Sequence, residues 1–562
     1  MRLTSLIISV LIFVGFNSAR AGEWPVHSGD KQGTRYSSLN QINRKNVDEL
    51  EVAWVYSSGE LRRHPDKITQ SVEQNIPILS AGNLVVCSPF NRVIALDPEQ
   101  GKEKWVFDPE VSMNLGKDSQ YTCRGVAQWV DDSNIESHDD SDAENSTCST
   151  RIIFGTVDLR IFALDAKTGQ RCADFGENGV VQSKPDKEQT YPGEIQYLMP
   201  PAIIGDVAVF GSALPDYGRA DGMSGKVLAI DVRKGRKLWE FNTIPTTADD
   251  PAMDSWEGEG ASKTGGGNVW GNISVDEQRD LVFLPVSSAT ADTYGGHRPG
   301  NNLYTDSLVA VRGSTGQIVW HYQIVHHDLW GWDIAPQPLL VDLMIDGNLI
   351  PAVVQNTKQG LIFVLNRETG KPVFPVEERA VPEGDVAGEW YSPTQPFPTL
   401  PQPLIEPGFG PEDAWGFTFY DRNKCRDTIA ALDYGSLYTP PSEKGALMFP
   451  WSGGGANWGG PAYEPGRQSM IINITRVVAR IKLIPTQPDG SEIHDYNPID
   501  VSTTAMTGTP YTVEKAFVMS PFGAPCNSPP WGELISVNLA SGLIEWRVPL
   551  GSIEKQLPIP IP

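Results

Sequence analysis

The sequence predicts an all-β protein of the β-propeller class, and three observations lead to this prediction. One pattern recurs six times, and each copy reads as an apolar strand, a turn closed by Gly and a second strand. Apolar residues in the copies recur with period two, which is typical of strands and not of helices. The 54 Gly and 45 Pro among 562 residues indicate many turns. Short strands that recur in repeats along a chain are typical of the blades of a propeller, which surround a central axis.

The six copies of the repeat are IALDPEQGKEKWVFD (94–108), FALDAKTGQRCADFG (162–176), LAIDVRKGRKLWEFN (228–242), VAVRGSTGQIVWHYQ (309–323), FVLNRETGKPVFPVE (363–377) and ISVNLASGLIEWRVP (535–549). Their turn glycines are Gly101, Gly169, Gly235, Gly316, Gly370 and Gly542. The last interval is the longest and has room for further irregular units. The Trp that recurs in the second strand is interpreted as packing between blades, so that functional residues are expected on loops near the axis.

The charge excludes one class of partner. The chain has 45 Lys and Arg against 69 Asp and Glu, a net charge of −24, and no basic run interrupts the acidity. Binding to a nucleic-acid backbone depends on clustered Lys and Arg. The composition therefore argues against a nucleic-acid partner and is typical of an acidic, soluble surface.

The N-terminus is typical of an export signal. Arg2 precedes an apolar run at 6–16, and Ala19-Arg20-Ala21 is a small-residue cleavage pattern. The run is too short to span a bilayer, and no later stretch reaches the length that a spanning helix needs. We expect residues 1–21 to be a signal peptide, residues 22–562 to form the propeller domain, and the mature protein to be periplasmic or secreted.

Six cysteines are too few to build a fold of this size, and their spacing matches no zinc site. In an oxidising compartment some of them are expected to pair. Cys123 and Cys148 flank an acidic, Ser- and Asn-rich loop that a disulfide between them would close, although six cysteines permit fifteen pairings. This pairing is the one that the sequence alone brings forward.

The stretch HHDLWGWDIAPQP at 326–338 concentrates two His, two Asp and two Trp. Its residue types leave three interpretations open, namely metal binding, acid/base chemistry and closure of a β-rich core.

Several motifs together resemble the quinoprotein dehydrogenases. They are the repeats, VHHDLW (325–330), GTRYSSLNQIN (33–43), TCRGVAQW (122–129), SPTQPFP (392–398) and TPPSEKGALMFP (439–450). The resemblance runs from Trp24 to the last residue and is closest to the glucose, quinate and shikimate subgroup. It implies an eight-bladed propeller with pyrroloquinoline quinone (PQQ) over the axis beside a divalent metal, usually Ca²⁺. It also implies oxidation of a sugar or cyclic polyol hydroxyl, with electrons passed to a quinone or cytochrome.

The resemblance also implies cofactor contacts. Trp270, in the Gly-rich TGGGNVWGN, matches the Trp that stacks on PQQ, and Lys358 matches the lysine at its quinone oxygen. Arg124 resembles an arginine that meets a PQQ carboxylate, a task that suits its planar donor fork. Asn473 corresponds to an asparagine near the cofactor, and the loop of Asn457 and Trp458 contributes more weakly. Without the resemblance, a core Trp, a surface Lys, a structural ion pair and a turn-capping Asn are the alternatives.

For the metal, the resemblance assigns Asp216 and Thr290, with Thr290 matching a metal ligand or cofactor contact. Two departures weaken this site. Tyr217 follows Asp216 where the family has Asn, and Ser288 stands where many relatives have a metal-binding Asn. Because Ca²⁺ prefers six to eight oxygen ligands, we expect an altered metal site.

The family's catalytic base is missing. In the family an Asp directly follows the Trp of HHDLW, and here that position is Gly331. Asp333 is the nearest candidate, either as substitute base or as metal ligand, and an extended segment would place it about 6.5 to 7 Å from residue 331. His326, His327 and Asp328 are expected to hold the loop. Phe90 is a further departure, because relatives often have His there.

The sequence ends at LGSIEKQLPIPIP, where relatives continue, so we expect a propeller incomplete at its C-terminus. The departures leave two principal functions open. One is a PQQ-dependent dehydrogenase with impaired catalysis, and the other is a non-catalytic propeller that binds a cofactor, a ligand or a protein. A propeller scaffold for envelope assembly would share the repeats but would not explain the cofactor positions.

Overall fold

The structure is a computed structural model that describes residues 24–117, 119–132, 147–215, 217–486, 495–496 and 501–552. The predicted signal peptide (1–21), most of the acidic loop after Cys123, and Asp216 lie outside the described residues.

The first three sheets each have four antiparallel strands that follow one another along the chain, because each predicted hairpin forms locally. The first sheet consists of β1 (Ile78–Ser80), β2 (Asn83–Cys87), β3 (Val93–Leu96) and β4 (Glu103–Phe107). The second consists of β5 (Ala127–Val130), β6 (Thr150–Gly155), β7 (Arg160–Asp165) and β8 (Val180–Gln182). The third consists of β9 (Ala202–Ile204), β10 (Val207–Phe210), β11 (Val227–Asp231) and β12 (Lys237–Phe241).

The middle of the chain forms a four-stranded sheet, a three-stranded sheet and a two-stranded ribbon. The fourth sheet consists of β13 (Ser274–Asp276), β14 (Leu281–Pro285), β15 (Ser307–Arg312) and β16 (Ile318–Gln323). The fifth consists of β17 (Leu339–Ile345), β18 (Asn348–Asn356) and β19 (Ile362–Asn366). The ribbon pairs β20 (Val376–Ala380) with β21 (Thr394–Pro398).

The last strands interleave two sheets. In chain order they are β22 (Ala446–Met448), β23 (Ala462–Glu464), β24 (Ser469–Thr475), β25 (Ala479–Pro485), β26 (Asp495–Tyr496), β27 (Val501–Ala505), β28 (Tyr511–Phe517), β29 (Gly532–Asn538) and β30 (Leu543–Pro549). One sheet has the order β23-β24-β29-β30, and the other has the order β22-β25-β28-β27-β26. The chain thus leaves the β23-β24-β29-β30 sheet after β24 and forms β25 to β28 of the five-stranded sheet. It then returns to the four-stranded sheet at β29.

Helices are few and short in the described part of the chain. The α-helices are α1 (Glu60–Arg63), α2 (Gly260–Lys263) and α3 (Phe419–Ala430), and the 3₁₀ turns are Val47–Glu49, Pro65–Gln70, Pro251–Ser255, Glu277–Arg279 and Pro411–Asp413. Thr418 caps α3 by accepting a hydrogen bond from the Asp421 amide, and the Asp421 carboxylate accepts from the Thr418 amide in return. Among the described residues, no helix has both the length and the apolar character needed to cross a bilayer.

The sheets pack face to face in succession, as propeller blades do. Apolar clusters join the first sheet to the second, the second to the third, the third to the fourth, the fourth to the fifth, and the fifth to the β23-β24-β29-β30 sheet. The starting strands β5, β9, β13 and β17 contact one another in the same order. The prediction of an all-β propeller is confirmed. The described residues provide six sheets in this succession, so the eight blades and the incomplete C-terminus stay predictions.

The recurrent Trp rings lie on the turn glycines of the next blade, as expected for packing between blades. Trp105 packs on Gly169, Trp239 on Gly316 and Trp320 on Gly370. In each case the indole nitrogen donates a hydrogen bond to the carbonyl three residues before that glycine, with distances of 3.3, 2.8 and 3.0 Å. The repeat at 162–176 has no Trp, and accordingly Gly235 packs against Val181.

All six cysteines form disulfides, and the pairing expected from the sequence is wrong. The bonds are Cys87–Cys123, Cys148–Cys172 and Cys425–Cys526. Cys87 at the end of β2 and Cys123 just before β5 are brought together by the packing of the first two sheets, which joins Cys87 and Cys123 in one buried cluster. The sequence favoured Cys123–Cys148 because those residues flank a loop, but Cα–Cα distances set by sheet packing decide which cysteines bond.

Candidate functional site

The Gly-rich stretch before Trp270 lets three backbone segments lie against one another. A Cβ at Gly265 would collide with the Gly222 backbone, and a Cβ at Gly266 would lie 2.7 Å from the Ser288 carbonyl oxygen. These glycines allow the segment to run from the α2 end to the start of β13 through a crowded space. Trp270 follows them and is half-buried.

Arg124 brings a buried positive charge to this indole. Its guanidinium carbon lies 5.2 Å from the Trp270 ring centroid and 4.5 Å from that of Trp458, so the charge is held beside two π faces. Its nitrogens donate to Gln74 Oε1 at 2.8 Å and to the Trp270 carbonyl at 3.3 Å. Burial lowers the pKa of Arg124 to about 10. No carboxylate of the described residues forms an ion pair with it.

Lys358 adds a second cation on the same indole. Its ammonium nitrogen lies 5.7 Å from the Trp270 ring centroid and donates to Asp333 Oδ2 and to the Gly331 carbonyl, both at 2.8 Å. Lys358 is buried in the turn between β18 and β19, whose backbone contacts Gly455 of the Gly-rich loop 453–460. Trp270, Lys358 and Arg124, which the sequence singled out separately, therefore meet at one site.

Ser288 joins three carboxyl groups behind this site. Its amide donates to Asp333 Oδ1 at 3.1 Å, and its hydroxyl lies 2.5 Å from Asp328 Oδ2 and 3.0 Å from Asp306 Oδ1. Burial raises the pKa of Asp328 to about 6 and, together with the charges of Asp328 and Asp333, raises the pKa of Asp306 well above its usual range. A hydroxyl has one hydrogen, so Ser288 cannot donate to Asp328 and Asp306 at the same time.

The HHDLWGW stretch is held mainly as a structural loop. Asp328 accepts hydrogen bonds from the amides of Trp330 and Trp332, and the two indoles stack with centroids 5.2 Å apart. His327 Nδ1 lies 2.8 Å from the Gly300 carbonyl, and its Nε2 lies 3.3 Å from Glu389. These contacts fit the expectation that His327 and Asp328 hold the loop.

Gly331 is not part of an extended strand. Its φ is +72°, in the left-handed region that favours glycine, so the spacing expected for an extended segment does not apply between residues 331 and 333. Asp333, the candidate substitute base, is buried, and its two carboxylate oxygens bond to Ser288 and Lys358. Its roles as base or metal ligand stay predictions.

The remaining candidates lie apart from the Trp270 cluster or are occupied by other bonds. Thr290 is fully buried; its hydroxyl donates to the Ala220 carbonyl and accepts from the Gly265 amide. Asn473 is an exposed residue of β24, and the described contacts do not join it to Trp270. Phe90 packs against His64 and Tyr121 in an apolar cluster. Asp216 lies outside the described residues, so the metal ligands also stay predictions.

Two site residues were missed by the sequence reasoning. Asp292 and Lys515 form an ion pair at 3.2 Å next to Gly331, although Lys515 comes from β28 of the five-stranded sheet. Asp292 stands two residues after Thr290, so its motif was in view, but no motif marks Lys515. Trp458, given only a weak role, is the nearer of the two indoles to Arg124.

The fold and the site define a propeller with an aromatic platform and two buried cations, a combination suited to a flat, anionic ligand. The profile described as "PQQ: Glucose/ethanol/alcohol dehydrogenase, beta-propeller domain" matches residues 24–562. The chain belongs to this family.

Relatives and solved structures agree with the assignment. Quinoprotein glucose dehydrogenase A of Acinetobacter calcoaceticus is 35% identical over 551 residues, which cover 95% of this chain and 67% of the relative. The quinate/shikimate dehydrogenase (quinone) of Acinetobacter baylyi is 35% identical over 553 residues, with 96% and 67% covered. The crystal structure of the Comamonas testosteroni quinohemoprotein alcohol dehydrogenase superposes with a TM-score of 0.65 at 21% identity, covering 95% of this chain and 68% of that one. At that identity the likeness concerns the fold alone.

Proposed function

We propose that this protein is a PQQ-dependent dehydrogenase that oxidises a hydroxyl of a sugar or cyclic polyol and passes the electrons to a quinone or a cytochrome. The observation that carries the proposal is Arg124, a buried guanidinium between two indoles that forms no ion pair with a described carboxylate. Burying a charge without a counter-charge is costly. A bound anion would supply the missing charge, and PQQ is a flat tricarboxylate.

The residues present fit this cofactor. Trp270 supplies a half-buried aromatic surface, and Arg124 has the donor fork for a carboxylate. Lys358 holds its ammonium over the same indole, where it would stand at the quinone end. When bound, PQQ supplies an electrophilic quinone that is reduced as the substrate hydroxyl is oxidised. The protein's part is to hold the ring between cations that favour the negative charge developing on it.

The substrate and acceptor are proposed from the relatives. One relative is a glucose dehydrogenase and another a quinate/shikimate dehydrogenase (quinone), so glucose and quinate are the first compounds to test. The site has carboxylates and cations around Gly331 that suit several hydroxyl groups of such molecules. We propose these classes of substrate and a quinone or cytochrome acceptor.

The resemblance also implies a divalent metal, usually Ca²⁺. The described residues contain no group of three or more His, Cys, Asp or Glu arranged to hold a metal. The Thr290 hydroxyl is committed to backbone partners, and Asp333 is bonded to Lys358. The described residues alone therefore do not fit a Ca²⁺ site, and we derive no step through a metal.

A second candidate function is a propeller that binds PQQ or another anionic ligand without turnover. Gly331 favours it, because the side chain that would serve as base in the family is absent there. The two proposals share the binding site and differ only in whether a bound substrate is oxidised.

We also propose that the protein is exported through the predicted signal peptide at 1–21. The three disulfides support this proposal, since disulfides persist in oxidising compartments and are rare in the cytosol.

The function is tested by reconstituting the purified protein with PQQ and Ca²⁺ and following reduction of a dye acceptor with glucose or quinate. We expect PQQ-dependent turnover that Trp270→Ala abolishes, because the stacking surface is removed. Arg379→Ala is the matched control, since Arg379 lies over Phe397 outside the site. PQQ binding without turnover on either compound would favour the non-catalytic function, and absence of PQQ binding would contradict the proposed dehydrogenase.

A further inference from the structure

The space that a side chain at position 331 would take is already held by another carboxylate. A Cβ built on Gly331 would lie 2.5 Å from Asp292 Oδ2 and 3.6 Å from Lys515 Nζ. The Gly331 carbonyl accepts a hydrogen bond from Lys358, whose ammonium also lies over Trp270. Asp292 is therefore beside the proposed cofactor pocket, at the point where the family's carboxylate would begin.

Asp292 is held with one oxygen uncommitted. Its Oδ2 pairs with Lys515 Nζ at 3.2 Å, while its Oδ1 is buried and has no hydrogen-bond partner among the described residues. Buried carboxylate oxygens are normally hydrogen-bonded, because an unmet acceptor is costly. Oδ1 therefore has acceptor capacity that no described residue fills.

Asp333, the other candidate, differs in this respect. Ser288 and Lys358 donate to its two oxygens, so a substrate would have to compete with bonds already made. Asp292 has Lys515 as its ion-pair partner instead, and Lys515 belongs to β28 of the five-stranded sheet.

We propose that Asp292, oriented by Lys515, supplies the substrate-facing carboxylate that position 331 lacks. Its Oδ1 accepts a hydrogen bond from the hydroxyl that is to be oxidised. The identity of the substrate in this inference rests on the proposed function. The structural basis is the overlap between the Asp292 carboxylate and the position of a side chain at residue 331. A larger residue at 331 would have to displace this carboxylate, in addition to adopting the left-handed φ of +72°.

The overlap is tested by a double-mutant cycle in melting temperature, without cofactor or substrate. Gly331→Asp should lower the melting temperature by several degrees, because it sets two carboxylates against each other. In the Asp292→Ala background the same change should cost less than half as much. Gly347→Asp is the control, since Gly347 has φ +79° but nothing within 4 Å of its Cβ position. It should cost the same in both backgrounds.

The substrate role is tested by titrating the PQQ-loaded protein with glucose and quinate. Asp292→Asn should leave PQQ binding unchanged and weaken binding of the accepted compound at least tenfold, and Gly331→Asp with Asp292→Ala should recover part of that loss. Additive melting-temperature changes, or substrate binding that Asp292→Asn leaves unchanged, would overturn the proposal. Failure of the wild type to bind PQQ would instead overturn the proposed function.

Discussion

Arg124 and His27 are ionisable residues of the site region, and burial disfavours the charged form of each. Both side chains are buried, and Asn272 lies with its amide nitrogen 2.9 Å from His27 Nδ1. Burial, followed by the positive charges of Arg35 and Arg124, lowers the pKa of His27 to about 3. Protonation of His27 is thus disfavoured, chiefly by burial and further by the two neighbouring guanidinium groups.

This arrangement predicts a pH dependence of stability. The pKa of His27 is lower in the folded state than its ordinary value of 6.5, so between pH 6.5 and 3 the unfolded chain binds the extra proton. The contribution of neutral His27 is complete above pH 6.5 and is lost as the pH falls. Between pH 7 and 5 we expect a loss of about 2 kcal/mol from this residue. Urea unfolding at both pH values should show a smaller loss for His27→Gln, and equal losses would contradict the assignment.

Individual site residues could be predicted from the sequence where a local motif contains them. Trp270, Lys358 and Arg124 were found through their local patterns, and the structure brings them together. Asp292 and Lys515 were missed because their contact with Gly331 depends on a left-handed turn and on a strand from a distant part of the chain. No local pattern reports such a meeting.

The Trp and Gly of the repeat form the joint between neighbouring elements. Trp320 of β16 covers Gly370 of the next blade, donates to the Arg367 carbonyl and is 8% exposed. Trp54 packs on Gly101 in the same way and donates to the Pro98 carbonyl, although no Gly turn precedes it. Trp54 was not predicted from the sequence, because it does not belong to a complete hairpin repeat. Strand pairing within a blade is local and could be predicted from the sequence. The disulfide Cys87–Cys123 depends on how the blades pack, so it was not predicted.

The joint predicts unequal effects of equivalent substitutions. Trp320→Ala should lower the free energy of unfolding by about 3–5 kcal/mol, because a buried ring and its hydrogen bond are removed. Trp546 occupies the same place in its repeat but is 38% exposed, so Trp546→Ala should cost about 1 kcal/mol or less. Equilibrium urea unfolding compares the two variants. Equal losses in the free energy of unfolding would contradict the prediction that burial of Trp320 between blades stabilises the fold.

At the scale of the whole molecule, the propeller brings loops from several sheets to one place. Arg124 precedes β5, Trp270 precedes β13, Lys358 lies between β18 and β19, and Trp458 precedes β23. The repeats predicted the architecture that makes this possible. They did not predict the five-stranded sheet, because it is built from strands outside the repeat pattern, between and around β24 and β29.

The central claim is that these loops form a PQQ site, and titration of the purified protein with PQQ, followed by tryptophan fluorescence, tests it most directly. We expect saturable quenching with one PQQ per chain. Arg124→Ala and Trp270→Ala should each weaken binding by at least tenfold, since one removes the unpaired charge and the other the stacking surface. Arg379→Ala should bind as the wild type does. Absence of saturable binding by the wild type, or affinity unchanged in both site variants, would contradict the account.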